Sequence, residues 1–135
     1  MKKITTEATV RNIQNIIAFV EGELEGISCP IKAQTQILMA VDEVMANISG
    51  YAYAPGTGDV TVVFEHAEQE GTVTLTFIDE GVPFDPTQIA EPDVTLPAAK
   101  RQIGGLGIFL VRKTMDGVDY RREDGKNILC IRKKI

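Results

Sequence analysis

Asp79-Glu80-Gly81-Val82-Pro83-Phe84-Asp85-Pro86 closes a run of alternating apolar residues, and Gly104-Gly105-Leu106-Gly107-Ile108-Phe109 opens an amphipathic one. Between the two lies a largely polar connection, a flexible span of about 20 residues. A carboxylate at a strand end thus faces a glycine-rich helix start across a long loop. Compact domains seldom keep a loop of that length without using it as a lid or a binding loop. Every other element of the chain can be placed relative to this pair.

Upstream, Val60, Val62 and Phe64 alternate, His66 to Gly71 supplies a turn, and Val73, Leu75 and Phe77 alternate up to Asp79, which predicts a β-hairpin. Downstream, Leu106 to Met115 has helical periodicity and Asp116-Gly117 is its expected end. Val118 to Arg121 and Ile128 to Arg132 read as two strands joined at Asp124-Gly125, a strong hairpin-turn signal. At the N-terminus, Ile4 to Ala8 alternate as a short strand. Val10, Ile13, Ile17, Val20 and Leu24, with Ile16 beside them, then recur at helical steps, with Gly26 as the expected stop. Cys29-Pro30 restarts the chain, and a second helix is expected from about Ile31 to the Tyr51–Tyr53 region, before Pro55-Gly56-Thr57-Gly58 breaks it. The order β-α-α-β-β-lid-α-β-β predicts an α+β fold: a two-layer sandwich in which a mixed, mostly antiparallel sheet is covered on one face by helices.

The chain has 135 residues, which predicts one domain spanning 1–135 with a real core. Its 44% hydrophobic and 24% charged content is that of an ordinary globular protein. A net charge of −5 argues against a general nucleic-acid binder. No apolar run is long enough to span a bilayer, and Met1-Lys2-Lys3 leads into alternating residues rather than a signal-peptide core, so the expected location is cytoplasmic, without a membrane partner. Cys29 and Cys130 match no metal or redox spacing and read as reduced packing thiols. The C-terminal part is locally basic (Arg112, Lys113, Arg121, Arg122, Lys126, Arg132, Lys133, Lys134), which fits edge-strand protection or a docking face for an acidic partner.

Four groups of residues could carry chemistry. On the second helix, Ile37, Val41, Val44, Met45 and Ile48 form the apolar stripe, while Glu43 and Asn47, four apart, share the opposite side. They are either two polar residues on a solvated face or a carboxylate beside an amide oxygen. The second arrangement suits Mg²⁺, which takes few protein oxygens and completes its shell with water and phosphate. Gly104, Gly105 and Gly107 at a helix start would let backbone N–H groups approach an anion, although a loop needing positive φ explains glycines nearly as well. Asp79 is either a turn-former or an acceptor for an adenine amino group, with Gly81 leaving room for the base. Lys100 and Arg101, near the end of the connection, are either a solvated basic pair or extra phosphate contacts.

Taken in order, Glu43-x-x-x-Asn47, Asp79-x-Gly81 and Gly104-Gly105-Leu106-Gly107 resemble the nucleotide-binding domain shared by histidine kinases, gyrase and the Hsp90 chaperones. In size and detail the chain most resembles the anti-sigma factor serine/threonine kinases of bacterial partner-switching systems. Asn47 through Ala52-Tyr53, the Asp79–Pro86 box, and Gly104–Leu110 followed by Met115-Asp116 carry that resemblance, which covers nearly the whole chain. It implies a Bergerat-type fold that binds ATP and Mg²⁺. Asn47 would hold the metal, Glu43 would act as general base, and Asp79 with Gly81 would read adenine. The backbone from Gly105 through Leu106 to Gly107 would hold the phosphates, with Gly104 at the same turn, and residues 86–103 would form the ATP lid. The implied partners are an anti-sigma-factor antagonist, phosphorylated on a hydroxyl, and a sigma factor, which is sequestered. The resembling kinases commonly form homodimers, to which the exposed N-terminal strand could contribute.

Three positions depart from the family pattern. Tyr51 stands where a histidine often follows the metal asparagine, Pro83 replaces a second glycine after Asp79, and Gly125-Lys126-Asn127 occupies the place of a threonine that assists adenine binding. The competing function is a non-catalytic ATP-binding module that switches protein partners without phosphoryl transfer. Glu43 favours the enzyme, because a pure binder has no need for a base beside the metal ligand.

Overall fold

A computed structural model describes residues 1–88 and 105–135 of the chain. The elements are β1 (Lys2–Glu7), α1 (Val10–Gly26), α2 (Ile31–Asn47), a π-helical turn (Ile48–Ala52), β2 (Asp59–Ala67), β3 (Thr72–Asp79), a 3-10 turn (Pro86–Gln88), α3 (Gly105–Thr114), β4 (Gly117–Glu123) and β5 (Lys126–Lys134). The strands form a five-stranded sheet in the order β1-β2-β3-β5-β4. All four described pairings are antiparallel, so the sheet is not mixed as expected. The reason is topological. The crossover through α3 makes β4 run parallel to β3, but the β4–β5 hairpin folds β5 back between them.

Alternation along the strands builds the core. Val60, Val62 and Phe64 of β2, Val73, Leu75 and Phe77 of β3, and Leu129 and Ile131 of β5 are buried on one face. Against them pack Ile13, Ile16, Val20 and Leu24 of α1, Ile37, Val41, Val44 and Met45 of α2, and Ile108 and Val111 of α3. Val10, counted in the apolar stripe from its spacing, is 76% exposed, because it is the first residue of α1. The opposite face of the sheet carries half-exposed Thr61, Thr74, Thr76, Ile78 and Cys130. Cys29 is buried, and that burial pushes its thiol above the usual range, in keeping with a packing role.

Two boundaries differ from expectation. The β2–β3 turn is tighter, so His66 lies within β2, opposite Val73, rather than in the turn. The Asp124-Gly125 turn has positive φ at both residues (53° and 75°), which lets β4 and β5 pair from Glu123↔Lys126 outward. Strand β5 therefore starts before Ile128 and includes Asn127. Helix α1 ends at Gly26 as expected, and the left-handed conformation beyond it falls on Ser28, at φ 55°. The N–H of Cys29 donates to Leu24 O (3.0 Å) and that of Ser28 to Glu25 O (3.1 Å), the paired bonds of a Schellman cap. Ser28 thus holds a left-handed conformation that a Cβ disfavours. Ser28→Gly is expected to raise unfolding free energy by about 0.5–1 kcal/mol, read as a higher urea midpoint at unchanged m-value.

Candidate functional site

The buried face of the sheet turns polar at one end. Asp79 and Asn127 are each 5% exposed and are the buried polar side chains among the described residues. They are also register partners across β3 and β5, occupying the core-facing positions next to Phe77 and Leu129. A pair of buried polar groups at the edge of an apolar layer is stable only when hydrogen-bonded. Here Asn127 Nδ2 donates to Asp79 Oδ1 (2.9 Å) and to Val82 O (2.8 Å). The Gly81 N–H donates to the same Asp79 oxygen (2.9 Å). Tyr120, from β4, donates its hydroxyl to Asn127 Oδ1 (2.5 Å).

Asp79 and Asn127 open into a cleft between the end of the sheet, α2 and the start of α3. Its walls are largely apolar, with Val44, Ile48, Phe84, Ile108 and Leu129 among them. Asn47 joins them from the end of α2, as its 3.6-residue period requires if Val44 is to face the sheet. The Asn47 Nδ2 is fully buried and has no hydrogen-bond partner among the described residues. A buried unpaired amide costs stability unless a ligand or water satisfies it. Since amide oxygen and nitrogen exchange places by a simple flip, the same position can present an oxygen to a cation. No group of three or more His, Cys, Asp or Glu side chains suited to a metal occurs among the described residues.

The loop from Asp79 to Phe84 is clamped on both sides. The Val82 N–H donates to Ala52 O (2.9 Å), at the end of the π-helical turn. A Cβ at Gly81 would fall 2.6 Å from the Ala52 carbonyl carbon and Cβ, well inside contact distance, so the missing side chain is what lets the loop lie against Ala52. Gly81 serves this backbone approach whatever it leaves open for a ligand. Arg122 of β4 donates to Gly81 O (2.7 Å) from outside. Tyr53 accepts a hydrogen bond from the Glu80 N–H (2.7 Å) and donates to Asp59 O (2.6 Å), tying the end of β3 to the start of β2. Burial pushes the Tyr53 phenol above its ordinary range; the Glu80 N–H works against this, while the carboxylates of Asp79, Glu80 and Asp59 reinforce it. The phenol therefore stays protonated and can donate.

Glu43 does not line this cleft. It opens instead onto a neighbouring groove between α2 and α3, with Gln36, Met39, Ala40, Leu110 and Thr114. Its carboxylate lies against the first turn of α3: a Cβ at Gly107 would sit 2.7 Å from Glu43 Cδ and overlap Oε2. Asn47 and Asp79 are thus brought together in one cleft, and Glu43 lies in the neighbouring groove against Gly107. Gly105 starts α3. Lys100, Arg101 and Gly104, with residues 89–103 of the expected lid, lie outside the described residues.

Tyr120 carries no signal of a site residue in the sequence, and Asn127 stands out there only as part of the segment that replaces a threonine. The alternation of Asn127, Leu129 and Ile131 on one strand face is a further signal, but a strand begun at Ile128 conceals it. Several basic C-terminal residues are engaged within the fold: Arg122 on Gly81 O, Arg132 with Asp119, and Lys133 Nζ on Thr114 O (2.7 Å).

An open antiparallel sheet with helices on one face, and a mainly apolar cleft with convergent polar groups at the sheet's end, defines an α+β ligand-binding sandwich. More narrowly, the chain belongs to the histidine kinase-like ATPase domain family, whose model matches residues 6–133. It is similar to the serine/threonine-protein kinase BtrW of Bordetella bronchiseptica, 31% identical over 96 residues, covering 70% of this chain and 66% of BtrW. It is also similar to the serine-protein kinase RsbW of Bacillus cereus, 24% identical over 125 residues, covering 90% of this chain and 71% of RsbW. The chain thus spans about two thirds of the length of these curated relatives. Among solved structures, the RsbU and RsbW domains of a Mycobacterium tuberculosis protein superpose with a TM-score of 0.63 at 15% identity, over 99% of this chain and 32% of that one, which supports the fold. Among the described residues no helix is long and apolar enough to cross a membrane.

Proposed function

We propose that this protein is an anti-sigma factor serine/threonine kinase: it binds Mg-ATP, transfers the γ-phosphoryl group to a serine or threonine hydroxyl of an anti-sigma-factor antagonist, and in another state sequesters a sigma factor. The observation that carries the reading is the pairing of a buried Asp79 with an unsatisfied Asn47 amide in one cleft, with Glu43 one helical turn before Asn47. Asp79 would accept a hydrogen bond from the adenine amino group. Asn47 would hold Mg²⁺ through its amide oxygen, and the metal would neutralise phosphate charge. The backbone at Gly105 to Gly107 would cradle the phosphates at the start of α3. Lys100 and Arg101 would add phosphate contacts.

Glu43, facing the α2–α3 groove, would remove the proton from the acceptor hydroxyl as its oxygen bonds to the γ-phosphorus. The bond from that phosphorus to the β–γ bridging oxygen breaks, and ADP leaves. Catalysis of this kind rests mainly on in-line positioning and charge neutralisation. The groove gives a protein acceptor a route to Glu43 separate from the nucleotide cleft. We place the protein in the cytoplasm, as one domain, acting as a homodimer and without direct nucleic-acid contact.

The test is incubation with γ-labelled ATP, Mg²⁺ and a candidate antagonist. Label on a serine or threonine of the antagonist supports the kinase. Tight ATP binding with no transfer to any partner would overturn it and leave the ATP-dependent binding module. Asn47→Ala is expected to lower ATP affinity in Mg²⁺ by about tenfold, with a much smaller change in EDTA, as read by calorimetry. Equal affinity of the variant and the unaltered protein in Mg²⁺ would remove Asn47 from the metal site.

A further inference from the structure

The amide of Asn127 is over-determined. Its Nδ2 uses both hydrogens, on Asp79 Oδ1 and Val82 O, while its Oδ1 accepts from the Tyr120 hydroxyl and, at 3.4 Å, from the Phe84 N–H. Turned over, it would set its oxygen against a carboxylate and a carbonyl, and its NH₂ against the Phe84 N–H. Only one orientation satisfies every partner.

That orientation has a consequence for Asp79. Oδ1 is doubly occupied, by Gly81 N–H and Asn127 Nδ2, whereas Oδ2 accepts no hydrogen bond among the described residues. Asp79 lines the cleft, so its remaining acceptor is available to a ligand there.

We propose that Asn127, oriented by Tyr120, is a positioning residue that sets base specificity: it saturates Asp79 Oδ1 and holds Oδ2 as the acceptor for a ligand N–H. This rests on the nucleotide reading above and deepens it. A purine with an amino group at its six-position supplies the donor that Oδ2 requires. A 6-oxo purine sets an acceptor against it and leaves the carboxylate oxygen unpaired, the arrangement that polar sites reject most strongly. Tyr120 also lines the cleft, and its hydroxyl is engaged by Asn127, so in this scheme it acts through Asn127. The device stands at the position where this chain departs from the threonine pattern.

Calorimetric titration of adenosine and inosine triphosphates, which differ at the six-position, tests this on the full chain and on Tyr120→Phe and Asn127→Leu. The unaltered protein is expected to prefer the adenosine nucleotide by at least about tenfold. Tyr120→Phe is expected to reduce that ratio about three- to tenfold and Asn127→Leu by more, with inosine nucleotide affinity nearly constant. Tyr120→Phe removes one hydroxyl from a half-buried ring, so it keeps the test valid should Asn127→Leu fail to fold. If the variants weaken both nucleotides by one common factor, or change neither, the pair is structural only and the proposal falls while nucleotide binding stands. If the unaltered protein binds neither nucleotide, the proposal and the nucleotide reading fall together.

Discussion

Glu43→Gln is expected to abolish phosphoryl transfer, by about 10²–10⁴-fold in kcat, while ATP affinity stays within about threefold. The substitution keeps size and shape and removes the basic oxygen. Because Glu43 faces the α2–α3 groove rather than the cleft that holds Asp79 and Asn47, nucleotide binding should be nearly indifferent to it. Gly107→Ala supplies an independent route to the same loss. The new Cβ would overlap Glu43 Oε2, and the far end of a flexible side chain gives way more readily than backbone. The helix itself gains from alanine, by about 1 kcal/mol. Displacing the carboxylate by about 1 Å is expected to lower kcat by about 10²-fold without lowering the melting temperature. If both substitutions act through one carboxylate, the double variant falls little further than Glu43→Gln alone. Undiminished transfer by Glu43→Gln in a single-turnover assay would remove the general base from the mechanism.

Gly81→Ala is expected to be the most damaging of the conservative changes, at about 2–3 kcal/mol in denaturant unfolding and at least tenfold in ATP affinity. Here the obstruction is backbone: the Ala52 carbonyl carbon and Cβ would both stand 2.6 Å from the new methyl group. Relief requires the loop to lift away from the π-helical turn. That breaks the Val82 N–H bond to Ala52 O and moves the Gly81 N–H off Asp79 Oδ1. Stability and base recognition therefore fall together, unlike at Gly107. A Gly81→Ala protein with unchanged urea midpoint would show that the loop has another way to pack.

Much of the fold was legible from residue order. Alternation in Val60–Phe64 and Val73–Phe77, and the three- and four-residue steps through Leu24, are local patterns that local geometry obeys. Strand ends are not legible in this way, because each is settled by its neighbour. His66 belongs to β2 because Val73 is opposite it, and Asn127 belongs to β5 because Asp79 is opposite it. The expected sheet was mixed and mostly antiparallel; the described strands pair only antiparallel, because the β4–β5 hairpin inserts β5 between β3 and β4.

The residue types of the candidate site are legible directly: an acid ending a strand, an acid and an amide four apart on a helix, and glycines at a helix start. These depend on spacing along one element, and covalent geometry sets such spacing. Their grouping could not be read, because it depends on contacts between residues far apart in the chain. Packing puts Asn47 into the cleft with Asp79 but turns Glu43 to the next groove against Gly107. Packing also brings Tyr120 and Asn127 behind Asp79, through a register that no single strand encodes. A carboxylate's identity is written in the chain, but which of its two oxygens is left to meet a ligand is settled by the neighbours that fill the other.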